Sequence, residues 1–274
     1  MLTASLPAMD RERLRHRLHA TSLRQEVAGP GRPWRYLEVV DVTGSTNSDL
    51  LARASAGEDI NGLVLIAEHQ TAGRGRSGRT WSTAPRAQLT LSIGVDAADV
   101  PTSVWGWLPL AAGLAVVDAV EATAGVRAAL KWPNDVLAGD GKLAGILSEV
   151  AGKAIVVGIG LNVTLRADEV GEPLVTSLAD LGVEEPDRTE LAAELLRRLG
   201  QRVTGWRAGD QLLMDEYRSR CTTIGSSVRA VLPGGREIVG AALSVDDQGR
   251  LCVDTGREVV AVSAGDVVHL HPGL

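Results

Sequence analysis

The sequence has no phenylalanine, and aromatic residues fill only 3% of its 274 positions. Any core must therefore be aliphatic, and the 45% hydrophobic content is enough to build one. Cysteine occurs twice, at Cys221 and Cys252, without the spacing of a metal site. Two reduced thiols in a cytosolic protein are expected. No apolar run reaches the ~20 residues of a membrane span. The N-terminus also lacks the apolar stretch and small-residue cleavage site of a secretory signal. A cytoplasmic chain with no membrane attachment is expected. Excess basic charge is missing too: the net charge is −6 and the pI about 5.4. That balance argues against general binding to nucleic acid or to anionic lipid. Lysine is scarce. Of 28 basic residues only Lys131, Lys142 and Lys153 are lysines. A chain that so favours arginine keeps lysine where a compact charge on a flexible stem is needed. Lys153 sits in a hairpin tip, Ala151-Gly152-Lys153, and needs no special role.

What is present is concentrated in one loop, Gln70 to Trp81. It follows an apolar run, Leu63 to Ala67, that reads as a buried strand. Gly73, Gly75 and Gly78 alternate with Arg74, Arg76 and Arg79, and Trp81 closes the segment. Glycine allows close backbone approach, and arginine offers a fork of donors to phosphate or carboxylate. The glycines match the dinucleotide-binding fingerprint. That site also needs a helix directly after the glycines. Here Arg79 to Pro85 has no helical stripe, so the reading fails. A long disordered arginine-glycine repeat binding RNA is excluded as well, because the run is single and framed by ordered segments. A loop that wraps an anion attached to something flat is the remaining functional reading, beside a plain solvated surface loop.

Along the chain, a polar helix is expected over about Asp10 to Val27, broken by Gly29-Pro30-Gly31. It is too short for a three-helix DNA-reading unit. His16 and His19 read as surface residues. A strand, Leu37 to Val42, leads to Ser45-Thr46-Asn47 and a helix to Ala56. Those three residues either cap the helix or point into a pocket at the strand end. Gln88 to Val95 is a strand, and Pro101 to Ala124 a largely buried helical region in which Pro109 marks a kink or fresh start. Lys131 ends a strand beside the Trp132-Pro133-Asn134-Asp135 turn. A lysine there needs an anion, either Asp135 or a ligand. Strands at Lys142 to Val150 and Ala154 to Val163 carry Gly145, Gly158 and Gly160 in their interiors. In-strand glycine costs stability, and here it clears one sheet face for a flat ligand. Helices follow at Arg188 to Trp206, capped by Asp187, and at Asp210 to Arg220. After residue 222 the chain turns to four short strands with glycine turns, the pattern of a small barrel.

Four blocks, Gly73-Arg74-Gly75-Arg76-Ser77-Gly78-Arg79-Thr80-Trp81, Lys131-Trp132-Pro133-Asn134-Asp135, Lys142-Leu143-Ala144-Gly145-Ile146-Leu147 and Gly158-Ile159-Gly160-Leu161-Asn162-Val163, together resemble the biotin–protein ligases. Ser45-Thr46-Asn47 matches as well. The resemblance implies an α+β fold: a mixed-sheet catalytic domain of the class II aminoacyl-tRNA-synthetase and biotin-ligase type, with a C-terminal SH3-like barrel. Domains would be 1–36 (N-terminal extension), 37–221 (catalytic) and 222–274 (barrel). It implies adenylation of biotin by ATP with Mg²⁺, then transfer to a lysine of a carboxylase's biotin carrier domain. The absence of a winged helix in the short N-terminus implies the ligase-only type, with no DNA partner. By resemblance, Ser45, Thr46, Asn47 and Gln70 hold the ureido end of biotin. Arg74, Gly75 and Arg76 close over it, and Lys131 bridges its carboxylate and the α-phosphate. Gly145, Gly158 and Gly160 floor the pocket. Trp81 and Asn162 meet adenine, while Arg79, Asn134 and Lys142 serve phosphates or ribose. Catalysis rests on Lys131 and Arg76, with no enzyme nucleophile and no protein metal site. The arginine loop is expected to order only when a ligand anion holds it. Rival readings are a lipoate–protein ligase and a ligand-sensing DNA-binding regulator.

Overall fold

A computed structural model describes residues 8–270 except 173 and 264. The expected first helix is two short ones, α1 (Ala8–Arg13) and α2 (Ala20–Val27). Residues 1–7 of the expected N-terminal extension lie outside the described residues. The break between the helices has a cause in tertiary bonding. Arg15 leaves the helix path to pair with Glu169 at 2.8 Å and to bond the side chain and carbonyl of Thr164. The Leu18 amide donates to Glu68 Oε1 at 2.7 Å instead of to a helical carbonyl. Leu18, Leu23 and Val27 are buried in the main core, so this segment is packed on the main body of the fold. His16 and His19 are exposed, as the sequence indicated.

Seven strands form one mixed sheet in the order β1-β2-β3-β7-β6-β5-β4. β1 (Tyr36–Val40) precedes α3 (Thr46–Ser55), and β2 (Leu63–Ala67) runs parallel to β1. β3 (Gln88–Asp96) is antiparallel to β2. α4 (Trp107–Ala124) starts afresh with Pro109 in its first turn, where a missing N–H costs nothing. Apart from Asp118 and residues near its C-terminal end it is apolar, and 12 of its 18 residues are buried. Long and apolar enough by composition to cross a membrane, it is instead a core helix. β4 (Ala129–Lys131), β5 (Asp135–Ala138), β6 (Gly141–Ala151) and β7 (Ala154–Asn162) complete the sheet as an antiparallel meander. A short helix, α5 (Ala167–Val170), follows. α6 (Arg188–Ala208) is capped by Asp187, which accepts from Thr189 N at 2.7 Å, and stops at left-handed Gly209. α7 (Gln211–Arg220) is capped by Asp210.

α4, α6 and α7 pack together, and α4 and α6 lie on one face of the sheet. Their charged seam is Asp118, held by Arg202 at 2.5 Å and Arg220 at 2.8 Å. α3 covers part of the opposite face over a second small core of Leu50, Ile60, Leu63, Leu65 and Val156. The C-terminal strands β8 (Ser227–Val231), β9 (Glu237–Val245), β10 (Leu251–Asp254), β11 (Val259–Val262) and β12 (Asp266–His269) form an antiparallel sheet ordered β11-β10-β9-β8-β12. Its fifth strand, β12, is an addition to the four read from sequence. The sheet is fastened to the Lys131–Asp135 turn. Trp132 is 1% exposed, its Nε1 donates to the Gly249 carbonyl at 3.0 Å, and its amide donates to Thr223 Oγ1.

Arg188 and Glu68 form an ion pair at 4% and 7% exposure that ties α6, the end of β2 and the N-terminal segment together. Arg188 also donates to the carbonyls of His16 and Arg86. Removing one partner leaves an uncompensated buried charge, which costs roughly 3–5 kcal/mol. Arg188→Leu is therefore expected to lower the unfolding free energy by about that amount. A urea titration with an unchanged midpoint would contradict this.

Candidate active site

A cavity of about 500 Å³ opens on the α3 face of the sheet. The residues expected from sequence converge on it: Ser45, Thr46, Asn47, Gln70, Arg74, Gly75, Arg76, Arg79, Trp81, Lys131, Asn134, Lys142, Gly145, Gly158, Gly160 and Asn162 all line it. Residues of β12 border it too, which sequence reasoning missed because that strand was not recognised.

At the α3 end, capping and pocket lining turn out to be compatible. Ser45 is the N-cap, and its hydroxyl accepts from Ser48 N at 3.5 Å. This leaves the Ser45 proton available. Thr46 N donates to Gln70 Oε1 at 2.8 Å. Thr46 Oγ1 lies 2.7 Å from Ser92 Oγ, which donates to Asn47 Oδ1 at 2.6 Å. Asn47 Nδ2 is spent on the Leu147 carbonyl and Glu149. The expectation that all four side chains grip a ligand is thus narrowed. Thr46 and Asn47 are occupied by protein partners, whereas the Ser45 hydroxyl and Gln70 Nε2 are donors with no protein acceptor among the described residues.

The in-strand glycines are corrected more strongly. They do not clear an empty floor. A methyl at Gly158 would overlap the Asn47 amide, and one at Gly160 would overlap the Trp81 indole. At Gly145 the same methyl would lie 3.1 Å from Trp81 Cζ3. β6 and β7 pair Gly145 with Gly160, so the two glycines form one smooth strip under the indole. Asn162 is also corrected. It is fully buried, and its amide bonds the carbonyls of Lys142 and Thr176 and accepts from Gln88. Its side chain holds the cavity wall together, and both of its amide hydrogens are spent on protein carbonyls.

The arginine loop is a tight hairpin. Gly75 N donates to the Arg79 carbonyl at 2.7 Å and Trp81 N to the Gly73 carbonyl at 2.9 Å. Ser77 (φ 54°) and Gly78 (φ 74°) make the left-handed tip. Protein carboxylates are partners of two of its arginines, a role the resemblance gave to a ligand anion. Arg74 pairs with Glu149 at 2.8 Å, and Arg79 pairs with Asp266 of β12. Arg79 is thereby an anchor to the C-terminal sheet.

Lys142 pairs with Asp135 at 2.6 Å, and its Nζ sits 5.5 Å from the Trp81 ring centroid. Asp135 is therefore the partner of Lys142 and not of Lys131. Two cations on the cavity wall have no carboxylate partner among the described residues: Lys131 and Arg76. Among the described residues the Arg76 guanidinium makes one hydrogen bond, to Asn134 Oδ1 at 3.4 Å, while Asn134 Nδ2 donates to the Ile146 carbonyl. Burial pushes the Arg76 pKa below its ordinary value, with Asp266 and Asp135 opposing. An anion placed between Lys131 and Arg76 would relieve that cost.

The chain is similar to known proteins over most of its length. Residues 39–165 match the model of the biotin/lipoate A/B protein ligase family, and residues 223–270 match that of the biotin protein ligase C-terminal domain. The chain is 59% identical over 264 residues to the biotin–[acetyl-CoA-carboxylase] ligase of Mycobacterium tuberculosis, covering 95% of this chain and 99% of that protein. Among solved structures, the biotin protein ligase of Aquifex aeolicus in complex with biotin and ATP superposes with a TM-score of 0.75 at 25% identity, covering 86% of this chain and 98% of that one. The Leishmania major biotin protein ligase in complex with biotinyl-5-AMP gives 0.59 at 27% identity, with coverage of 86% and 99%. With so close a relative matched end to end and both family models in order along the sequence, the chain belongs to the biotin protein ligase family.

Proposed function

We propose that this protein adenylates biotin with ATP and transfers the biotinyl group to a lysine of a carboxylase's biotin carrier domain. The observation that carries the reading is the pair of cations, Lys131 and Arg76, that form no ion pair among the described residues on a cavity whose other cations are paired. In the first step a biotin carboxylate oxygen attacks the α-phosphorus of ATP, and the bond to pyrophosphate breaks. In the second the acceptor amine attacks the acyl carbon, AMP leaves, and the amine loses a proton. Neither step needs an enzyme nucleophile, so positioning and charge stabilisation supply the rate. Magnesium enters with ATP as part of the substrate.

The Ser45 hydroxyl and Gln70 amide donate to the ureido carbonyl, while Thr46 and Asn47 shape that end. Arg74, Gly75 and Arg76 cover the acyl chain. Lys131 sits between carboxylate and α-phosphate, where a flexible ammonium can follow the changing geometry. Trp81 offers the purine an aromatic surface, backed by Gly145, Gly160 and the Asn162 frame. Asn134, Lys142 and Arg79 border the ribose and phosphates. The acidic chain works in the cytoplasm on a protein acceptor, without DNA or membrane.

A Cβ at residue 160 would push the indole off its strip, an overpacking worth about 1–3 kcal/mol. Gly160→Ala is thus expected to weaken ATP binding by about 10–100-fold and leave biotin binding within about twofold. Isothermal titration with each ligand alone checks this. Equal losses for both ligands would refute the division of the cavity. The overall reading is tested by ATP-dependent incorporation of labelled biotin into a carrier domain.

A further inference from the structure

Glu149 lies on β6 behind the cavity wall, with its side chain 20% exposed, and both of its oxygens are taken. Oε1 receives Arg74 Nη2 at 2.8 Å, and Oε2 receives Asn47 Nδ2 at 3.0 Å. One oxygen thus holds the arginine loop and the other holds α3.

Those two contacts complete a ring. Starting at Gln70, the first residue of the loop, Oε1 accepts from Thr46 N. Thr46 Oγ1 meets Ser92 Oγ at 2.7 Å, and Ser92 donates to Asn47. Asn47 donates to Glu149, and Glu149 binds Arg74, four residues after Gln70. Proton counting fixes the direction. Ser92 has one hydroxyl proton and gives it to Asn47, so Thr46 donates to Ser92 at 2.7 Å, the nearer of its two acceptors, with Gln70 Oε1 at 3.0 Å served by the Thr46 amide. Every link then has one donor and one acceptor. Glu149 is the only formal negative charge in the ring, and the only member on neither the loop, α3 nor β3.

We propose that Glu149 is a positioning residue that couples seating of the biotin ring at Ser45 and Gln70 to closure of the loop through Arg74. This rests on the reading of the loop as a cover over biotinyl-5′-AMP. Because Glu149 fixes Asn47 and Arg74 at once, order at the ureido end is transmitted to the loop arginine without Glu149 touching substrate. Breaking the charged link leaves strand β6 and its backbone pairing intact, so the fold is kept while the cover loosens.

The test is a double-mutant cycle on dissociation of biotinyl-5′-AMP from the full-length protein. Glu149→Gln is expected to speed release about tenfold, and Arg74→Ala by a similar factor. The double variant should release no more than about twofold faster than either single one, because both remove the same link. Glu149→Asp, one methylene too short to reach both partners, is expected to resemble Glu149→Gln and guards against misfolding of the amide variant. Multiplied single effects would overturn the coupling while leaving the loop's covering role in place. An Arg74→Ala release rate equal to wild type would instead refute the covering role itself. Wild-type release from both Glu149 variants overturns the positioning role directly.

Discussion

Lys131→Ala is expected to slow formation of biotinyl-5′-AMP by about a thousandfold in single-turnover assays, with no loss of fold. Two anions must meet at the reacting centre, the biotin carboxylate and the α-phosphate. Unit charges at about 4 Å repel by roughly 4 kcal/mol at an effective dielectric near 20. Each 1.36 kcal/mol is a decade in rate, which gives about three decades. Lys131 is placed to offset this repulsion because no carboxylate pairs with it among the described residues: Asp135, the nearest candidate in sequence, is taken by Lys142. The fold should survive because Lys131 contributes to β4 through its backbone, where it pairs with Asp135 across the turn. The neighbouring Trp132 carries the packing against the C-terminal sheet. Lys131→Arg should recover little, since a planar fork cannot track the moving charge as an ammonium does. Wild-type single-turnover rates with an unchanged circular dichroism spectrum would contradict the assignment.

Arg76→Gly is expected to release biotinyl-5′-AMP to solvent about 10–100-fold faster. Charge-assisted hydrogen bonds of the kind a guanidinium makes to a carboxyl or phosphate contribute roughly 1.5–3 kcal/mol each. Arg76 is the loop arginine whose charge is not already committed, and its burial makes an anionic partner more valuable. Arg74 and Arg79 would still hold the loop at Glu149 and Asp266, so the hairpin itself should persist. The mixed anhydride is sensitive to water, and a leaking site would hydrolyse biotin's activated form without transferring it. Rapid-filtration release of the labelled adenylate measures this directly. An unchanged release rate would count against Arg76 as the gate.

Much of the site was legible because its chemistry demands unusual residues. Lysine in an arginine-rich chain, glycine inside strands and arginine alternating with glycine each break a local rule, and Lys131, Lys142, Gly145, Gly158, Gly160 and the three loop arginines line one cavity. What they do there was less legible. Gly158 and Gly160 lie on one sheet face as their spacing required, yet the space they clear is filled by Asn47 and Trp81. Those partners come from α3 and from the end of the loop, and no spacing rule links them to β7. Lys142 and Asp135 pair across the β5–β6 register, a contact that tertiary pairing alone decides. The N-terminal segment was read as one helix because no glycine or proline interrupts it before Gly29-Pro30-Gly31. The structure breaks it where Arg15 and the Leu18 amide find better partners in distant segments. β12 is four residues long and forms a sheet edge, too short for an alternation to declare itself. Glu149 gave no signal at all, since one acid in a strand is ordinary until its neighbours in space are known.

The central claim is tested most directly by supplying purified protein with ATP, Mg²⁺ and a carboxylase biotin carrier domain, and following labelled biotin and labelled lipoate in parallel. Stoichiometric, ATP-dependent labelling of one carrier lysine by biotin, abolished in Lys131→Ala, is the result predicted here. Incorporation of lipoate without biotin would contradict it.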